Sequence, residues 1–334
     1  MNFSNIVGHK NQILKLRNIF KSGKIPQALL FSGISGIGKR TIAIELIRYI
    51  FCKEKGLCDH ECSECRLIEA ETHPDFFVLS PDEKGTISIG KANEEKTVRW
   101  LIEKLTKKSV SGKYGLIIDC PEKIPANGQN ALLKTIEEPP QNTLIIIITS
   151  NKSLLLPTIL SRCTEVAFNP LSSDDVGILL KRNLSHIPNL KKIVRFSGGS
   201  YDLALLLCEE RAFDLFNSLA LNLSSFICKK GTLTLEVDEL LKITHSENIL
   251  SVLINIFDAM LFEVYSKKSS FFSSFEIPSE KDIIKMIKIL MLMRKGFPYN
   301  MNFHNTLKAM MYSFDSFPSV GVPNLESALS GALL

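Results

Sequence analysis

The chain has 334 residues, of which 45% are hydrophobic, and it carries a formal net charge of +5. This length predicts two or three domains, and the apolar content is ample for their cores, which excludes a chain too polar to fold. The charge is mild for the size and does not by itself indicate a nucleic-acid partner. The longest aliphatic run, 144–148, is too short to span a membrane, and no apolar signal stretch opens the sequence. We therefore expect a cytoplasmic protein with no membrane partner.

The first motif in chain order is a glycine-rich loop between a predicted strand, 28–31, and a predicted helix, 41–51. Its sequence, GISGIGKRT, fits the phosphate-binding pattern GxxxxGK. Glycines let backbone N–H groups wrap phosphates, the helix N-terminus adds positive charge, and the lysine meets the β and γ oxygens. The alternative is a glycine-rich turn without chemistry. The setting favours an ATP or ADP site formed by Gly33, Gly36, Gly38, Lys39, Thr41 and Asp119.

Four of the eight cysteines lie between residues 52 and 65, directly after this predicted helix. Four thiolates so close in sequence can surround one Zn²⁺ and hold a segment too small for its own core. The alternative is a set of free cytosolic thiols. His60 could also replace one of the cysteines as a ligand. We predict a structural zinc module whose ligands are Cys52, Cys58, Cys62 and Cys65.

The next candidate site residues follow the predicted strand 116–119. In a P-loop ATPase, an Asp at this strand end holds the metal, and a following carboxylate orients the attacking water. Asp119 can take the first role, but Cys120 cannot take the second. The residue after the loop lysine is Arg40, where a Ser or Thr hydroxyl normally binds Mg²⁺. These departures favour nucleotide binding without efficient hydrolysis.

Aliphatic strands alternate with helical patterns up to about residue 168. This alternation predicts a parallel sheet with helices on both faces. Beyond residue 168 only helical periods follow, notably 248–265 and 280–294. We predict an α/β nucleotide-binding domain at 1–168, a small helical lid at 169–210, and an all-α domain at 211–334. The predicted strands are 28–31, 76–79, 116–119, 144–149 and 165–168.

Three sequence segments carry a resemblance to a known family. They are FSNIVGH at 3–9, NALLKTIEEPP at 130–140 and ILSRC at 159–163. Together they resemble bacterial AAA+ clamp-loader subunits of DNA polymerase III. Two branches of this family share them, the ATP-hydrolysing gamma/tau type and the delta-prime type. The resemblance implies a P-loop AAA+ domain, and it also implies that the zinc module and the helical lid lie where we predict them.

Departures from the sequence pattern of the ATP-hydrolysing gamma/tau type distinguish these branches. A gamma/tau-type chain would have Ser or Thr, Glu and Arg where this chain has Arg40, Cys120 and, in the lid, Asp202. The stretch 302–307 also resembles the end of delta-prime chains. The resemblance therefore implies a delta-prime-type accessory subunit with no intrinsic activity. The alternative is an active gamma/tau-type ATPase in which Thr41 and Glu122 compensate, and a further one is a stand-alone zinc or DNA-binding protein.

The resemblance also implies a catalytic residue that acts in trans. Arg162, in the segment SRC, would reach the ATP held by a neighbouring subunit, where a planar guanidinium suits the developing phosphoryl charge. The alternative is a surface arginine paired locally with Glu165. The all-α domain would join an oligomeric collar. The implied partners are the gamma/tau and delta subunits, and through the complex the sliding clamp and primed DNA.

Overall fold

The computed structural model of the chain describes residues 3–23, 25–54, 61–83, 85–230, 233, 237–266, 272, 276–296 and 302–315. These residues form two compact units, Met1–Asp175 and Val176–Leu334, and each is described by itself. The finer division of the chain into three domains, with boundaries after residues 168 and 210, stays a prediction.

The first unit alternates strands with helices, as the sequence predicts. Its strands are β1 Ala28–Ser32, β2 Phe76–Leu79, β3 Tyr114–Asp119, β4 Thr143–Thr149 and β5 Thr164–Ala167. Its helices are α1 Lys10–Lys21, α2 Lys39–Phe51, α3 Ser63–Glu69, α4 Val98–Thr106, α5 Ala126–Glu137 and α6 Pro157–Leu160, with 3₁₀ turns at Pro121–Lys123 and Lys152–Leu154.

The five strands form one sheet in the order β2-β3-β4-β1-β5, and every neighbouring pair is parallel. All five predicted strands are confirmed. The aliphatic runs place them, because a parallel sheet covered on both faces buries nearly every strand side chain. Every residue of β1 is buried, and so is all of β4 after its first residue. The predicted α/β architecture is thus confirmed for this unit.

The interior position of β1 determines where the loops lie. It pairs with β4 on one side and β5 on the other, while β3 pairs with β4. In parallel strands the carboxyl ends face the same edge of the sheet. The loops that follow β1, β3 and β4 therefore begin at one edge, which is where ligands bind in open α/β sheets.

The second unit is all α in the residues that the structure describes. Its helices are α7 Ser173–Asn183, which begins just before the unit boundary, α8 Leu190–Phe196, α9 Tyr201–Cys208, α10 Glu210–Ile227, α11 Val237–Ile243, α12 Ser246–Ser266, α13 Glu280–Gly296 and α14 Phe303–Tyr312. Helix α12 is the apolar centre, and it packs against α8, α10 and α13. Asn255 on α12 donates to the Phe196 carbonyl at 2.9 Å, which fixes α8 against it.

Helix α12 is also the one helix of the described residues that is long and apolar enough to cross a membrane. More than half of its most apolar stretch is buried inside the second unit, as expected for the core helix of a globular domain. One such helix is weak evidence for a membrane span, and burial explains its composition.

A buried carboxylate anchors the loop that leads into β3. Asp75 lies just before β2 and is 3% exposed. It accepts hydrogen bonds from the backbone N–H groups of Val110 and Ser111, at 3.0 and 2.6 Å, and from the Ser111 hydroxyl at 2.7 Å. Burial opposes the charged carboxylate, but the bonds from Ser111 and Val110 outweigh it and lower the pKa of Asp75 below its usual value.

We expect Asp75→Asn to lower the free energy of unfolding of the first unit by about 2 kcal/mol at neutral pH, because an amide cannot accept all three bonds. The lowered pKa means that the carboxylate stabilises the fold above the usual Asp range, and that this is lost as pH falls through the folded-state pKa. The difference between wild type and variant should therefore shrink as the pH falls below the usual Asp range.

Urea unfolding followed by tryptophan fluorescence measures this effect. Trp100 is the single tryptophan of the chain, and its ring lies 5.6 Å from that of Phe77, so its emission reports on the first unit alone. Asp82→Asn serves as the control, because that exposed carboxylate accepts from the backbone N–H and the hydroxyl of Thr86, four residues along the chain. Equal effects of the two substitutions would contradict the anchoring role.

Candidate nucleotide site and cysteine cluster

The glycine-rich loop has the backbone shape that phosphate binding needs. It leaves the end of β1 and enters α2 at Lys39, with Gly38 at the helix N-cap. Gly33, Gly36 and Gly38 all have positive φ angles, of 147°, 71° and 90°. At Gly33 an added Cβ would lie 2.4 Å from the Phe168 carbonyl oxygen. Only glycine fits there, so the predicted loop glycines are required by geometry as well as by chemistry.

The loop lysine is turned inward onto its own loop. Lys39 is 6% exposed, and its Nζ donates to the carbonyl oxygens of Gly33 and Ile34 at 2.7 and 2.6 Å. His9 supports the loop from outside, since its Nε2 donates to the Ile37 carbonyl at 2.7 Å. Burial lowers the pKa of His9, which keeps the imidazole neutral at physiological pH. The structure thus places the Lys39 ammonium against the loop backbone.

Arg40 is bound to the acidic residue at the end of β3. Its Nη1 donates to Asp119 Oδ2 at 3.0 Å, and its Nη2 donates to Glu71 Oε1 at 2.5 Å. Burial opposes the charge on Arg40, but the bonds and charges of Glu71 and Asp119 outweigh it and raise the pKa further. The sequence shows that Arg40 replaces a hydroxyl. It gives no signal for Glu71, which lies 31 residues away in the chain.

The magnesium ion that P-loop ATPases hold here does not fit this donor set. The hydroxyl ligand is replaced by a cation, and the predicted acidic ligand, Asp119, is already paired with that cation. Thr41, which would have to compensate in the active-ATPase alternative, is exposed on the first turn of α2. A divalent ion would have to displace a permanently charged guanidinium from its carboxylate.

The residues after Asp119 include a half-buried thiol and a carboxylate with hydrogen-bond partners of its own. Burial, aided by the charges of Asp119 and Glu122, raises the pKa of Cys120 to about 12, so the thiol stays neutral. Glu122 accepts from the Thr149 hydroxyl at 2.8 Å and from the Ser150 backbone N–H and hydroxyl at 3.1 and 3.0 Å. Its carboxylate is therefore held at the end of β4 by three hydrogen bonds.

Arg162 is tied to its own chain by part of its guanidinium. Its Nε lies 2.5 Å from Glu137 Oε1, and its Nη1 donates to the Thr158 carbonyl at 2.8 Å. The side chain remains 37% exposed. Glu165 is not its partner, because that carboxylate accepts from Ser32 and Lys152 instead. The local pairing alternative therefore named the wrong residue, and no pattern in the sequence points to Glu137.

Three of the four predicted metal ligands come together. The Sγ atoms of Cys52, Cys62 and Cys65 all lie within 4.8 Å of one another. Cys52 follows the end of α2, while Cys62 is the N-cap of α3 and Cys65 lies in its first turn. The other two candidate ligands, Cys58 and His60, lie outside the described residues. The cluster could hold a metal ion, and its all-sulfur donor set suits Zn²⁺.

The parallel sheet has the strand order β2-β3-β4-β1-β5. A phosphate-type loop follows β1, and an acidic residue ends β3. Together these features define an AAA+ P-loop domain. Residues 8–172 match the family model described as DNA polymerase III, delta subunit. This match supports a delta-prime-type subunit of a DNA polymerase III clamp loader. The predicted fold class and the family resemblance are both confirmed.

Individual relatives support this assignment. The delta' subunit of Bacillus subtilis (strain 168) is 36% identical over 159 residues, which cover 47% of this chain and 46% of that protein. The delta' subunit of Escherichia coli (strain K12) is 33% identical over 199 residues, 58% of either chain. The tau subunit of Escherichia coli (strain K12) is 30% identical over 221 residues, 62% of this chain and 32% of tau. The matched part thus spans about half the length of these delta' relatives.

We expect Gly33→Ala to lower the free energy of unfolding of the first unit by about 3 kcal/mol, because the new methyl group would meet a backbone oxygen at a strained φ. Gly112→Ala is the matched control. It also has a positive φ, of 78°, but an added Cβ there meets open space, so its cost should be about 1 kcal/mol. Urea unfolding followed by Trp100 fluorescence measures both. Similar losses would show that φ strain alone, without the Phe168 contact, fixes Gly33.

Proposed function

We propose that this chain is an accessory subunit of a clamp loader that supports ATP-dependent loading of the sliding clamp on primed DNA during replication. It does not hydrolyse ATP itself. It assembles in the cytoplasm with gamma/tau and delta subunits, and its second unit supplies the lid and the collar. The main observation in support of a chain that does not hydrolyse ATP is the ion pair between Arg40 and Asp119.

Three features of the site support a subunit without its own turnover. Hydrolysis needs a metal held by the loop and the acidic residue, and a carboxylate aimed at the attacking water. Arg40 forms an ion pair with the acidic residue Asp119, and Cys120 is a neutral thiol. The Glu122 carboxylate is hydrogen-bonded at the end of β4. The second candidate, an active gamma/tau-type ATPase, is favoured only by the similarity to tau. It requires ATP turnover by the isolated chain.

The position of Arg162 supports an action in trans on ATP held by a neighbouring gamma/tau subunit. Nε and Nη1 are held by Glu137 and Thr158, while no contact of Nη2 is recorded within the described residues. A guanidinium held through two of its nitrogens keeps the N–H groups of the third, and these can donate to a phosphate. In this proposal Arg162 is the catalytic residue, and Glu137 is a positioning residue that orders it.

We expect Arg162→Ala to lower DNA-stimulated ATP hydrolysis by a reconstituted loader at least about tenfold in kcat, because an arginine finger acts mainly on the transition state. Glu137→Gln should give a smaller loss, also in kcat, since it leaves the guanidinium present but less ordered. Arg99→Ala, which removes an exposed arginine on α4, is the control. The loader contains gamma/tau, delta, the clamp and primed DNA, and this chain is also assayed alone.

Two outcomes would contradict the proposal that Arg162 acts in trans in an accessory subunit. One is a loader rate that does not change when Arg162 is replaced, while the variant still assembles with its partners in gel filtration. The other is robust ATP turnover by this chain alone, which would favour the active gamma/tau-type ATPase.

The cysteine cluster supports a structural zinc site. Tetrahedral thiolate ligands at 2.3 Å from Zn²⁺ lie about 3.8 Å apart, and the three described Sγ atoms are within 4.8 Å of one another. A bound ion would fix the end of α2 to the start of α3. A fourth ligand from Cys58 or His60 would close the site to water, so its role would be structural.

We expect the purified chain to contain about one zinc ion per molecule, as measured by plasma mass spectrometry. Cys62→Ser, at a half-buried position, and Cys65→Ser, at a buried one, should both abolish it. Cys208→Ser, on α9 of the second unit, is the control. Comparing Cys58→Ser with His60→Ala identifies the fourth ligand. Zinc content that survives both Cys62→Ser and Cys65→Ser would rule out this site.

A further inference from the structure

The pairing of Arg40 with Asp119 changes what the loop needs in order to hold a nucleotide. In an ordinary P-loop site, the divalent ion lies between the phosphates and the acidic residue at the strand end. Without the ion, two groups of negative charge would face each other across the site. Here the guanidinium of Arg40 already neutralises Asp119 at 3.0 Å. The repulsion that makes a metal necessary is therefore cancelled by a side chain of the protein.

Arg40 is also held where it can act on a polyphosphate. It follows Lys39 directly, in the first turn of α2, and its two terminal nitrogens are spread between Asp119 and Glu71. The ion pair with Glu71 lies toward the surface, with each of the two side chains 36% exposed. Guanidinium binds phosphate with paired, charge-assisted hydrogen bonds, so Arg40 can exchange an exposed carboxylate for a phosphate oxygen.

The phosphate-binding parts of the loop remain in place. Gly33, Gly36 and Gly38 keep the curved backbone, and the Lys39 ammonium lies inside the loop. The metal-binding parts do not remain, because the hydroxyl ligand is replaced and the acidic ligand is paired. We propose that this site binds a nucleoside di- or triphosphate without a divalent cation, with Arg40 supplying the charge that the metal supplies elsewhere. This inference concerns the isolated chain and does not rest on the clamp-loader role.

The test is the binding of a fluorescent ADP analogue to the full-length chain by polarisation, with and without added Mg²⁺. The cation-free buffer is prepared by passage over a chelating resin, since a soluble chelator would strip a metal from the cysteine cluster. We expect the two dissociation constants of the wild-type chain to agree within about threefold. For Arg40→Thr, which restores a hydroxyl after the lysine, binding without cation should weaken at least about tenfold, and Mg²⁺ should restore it.

A second substitution distinguishes a cation-free nucleotide site from a metal-dependent one. Asp119→Asn should strengthen cation-free binding by about threefold, because it releases Arg40 toward the phosphates, whereas it would weaken a metal-dependent site. Arg99→Thr, an equal loss of charge at an exposed position on α4, should leave both constants at the wild-type values. Urea unfolding followed by Trp100 fluorescence shows that each variant is folded.

Three results would overturn the proposal. The first is wild-type binding that requires Mg²⁺. The second is the absence of nucleotide binding in both buffers. The third is cation-free binding by Arg40→Thr that equals the wild type. Turnover by a reconstituted loader bears on none of these, so this inference and the clamp-loader proposal can fail separately.

Discussion

The backbone hydrogen bonds of the interior strand β1 are the constraint on which the candidate site depends. Two of them extend past the strand itself, since Gly33 N–H donates to the Thr149 carbonyl and Phe168 N–H donates to that of Ser32. A third, from Cys120 N–H to the Ile148 carbonyl, ties the end of β3 to β4 in the same way. The starting points of the loops are therefore fixed by main-chain pairing, which does not depend on the side chains at the site. Side-chain chemistry there can change without a change in fold.

Because main-chain pairing is independent of the side chains, a phosphate-type loop can coexist with an arginine at the usual metal-binding position. Each charge near the loop is met by a partner from the same unit: Arg40 meets Asp119 and Glu71, while Glu122 meets hydroxyl and N–H donors at the end of β4. Partly buried charges are tolerated only with such partners, because isolated ones pay a large desolvation cost. Asp119 and Glu122 are thus both held by partners within the unit.

The sheet and the loop could be predicted from the sequence because their signals are local. Aliphatic runs mark buried parallel strands, and the glycines mark positions with positive φ, so both follow from neighbouring residues. The partners of Arg40 and Arg162 could not be predicted in this way. Glu71 lies between α3 and β2, and Glu137 lies at the end of α5, 25 residues before the arginine that it holds. Which carboxylate meets which guanidinium is decided by how the helices pack on the sheet. Without the sheet order, Glu165 was as reasonable a partner as Glu137.

The Glu137–Arg162 pair also joins two segments that resemblance alone treats as separate motifs. Glu137 belongs to the run 130–140 and Arg162 to the run 159–163, and the ion pair brings the ends of α5 and α6 together. Both side chains are more than a third exposed, so the pair contributes only about 0–1 kcal/mol to stability. A weak, exposed ion pair is suited to the trans-acting role that we propose for Arg162. It restricts the rotamers of a long side chain before assembly, which lowers the entropy cost of ordering it at an interface. It can also yield to a phosphate in a water-excluded site, where charge-assisted hydrogen bonds to the guanidinium are stronger.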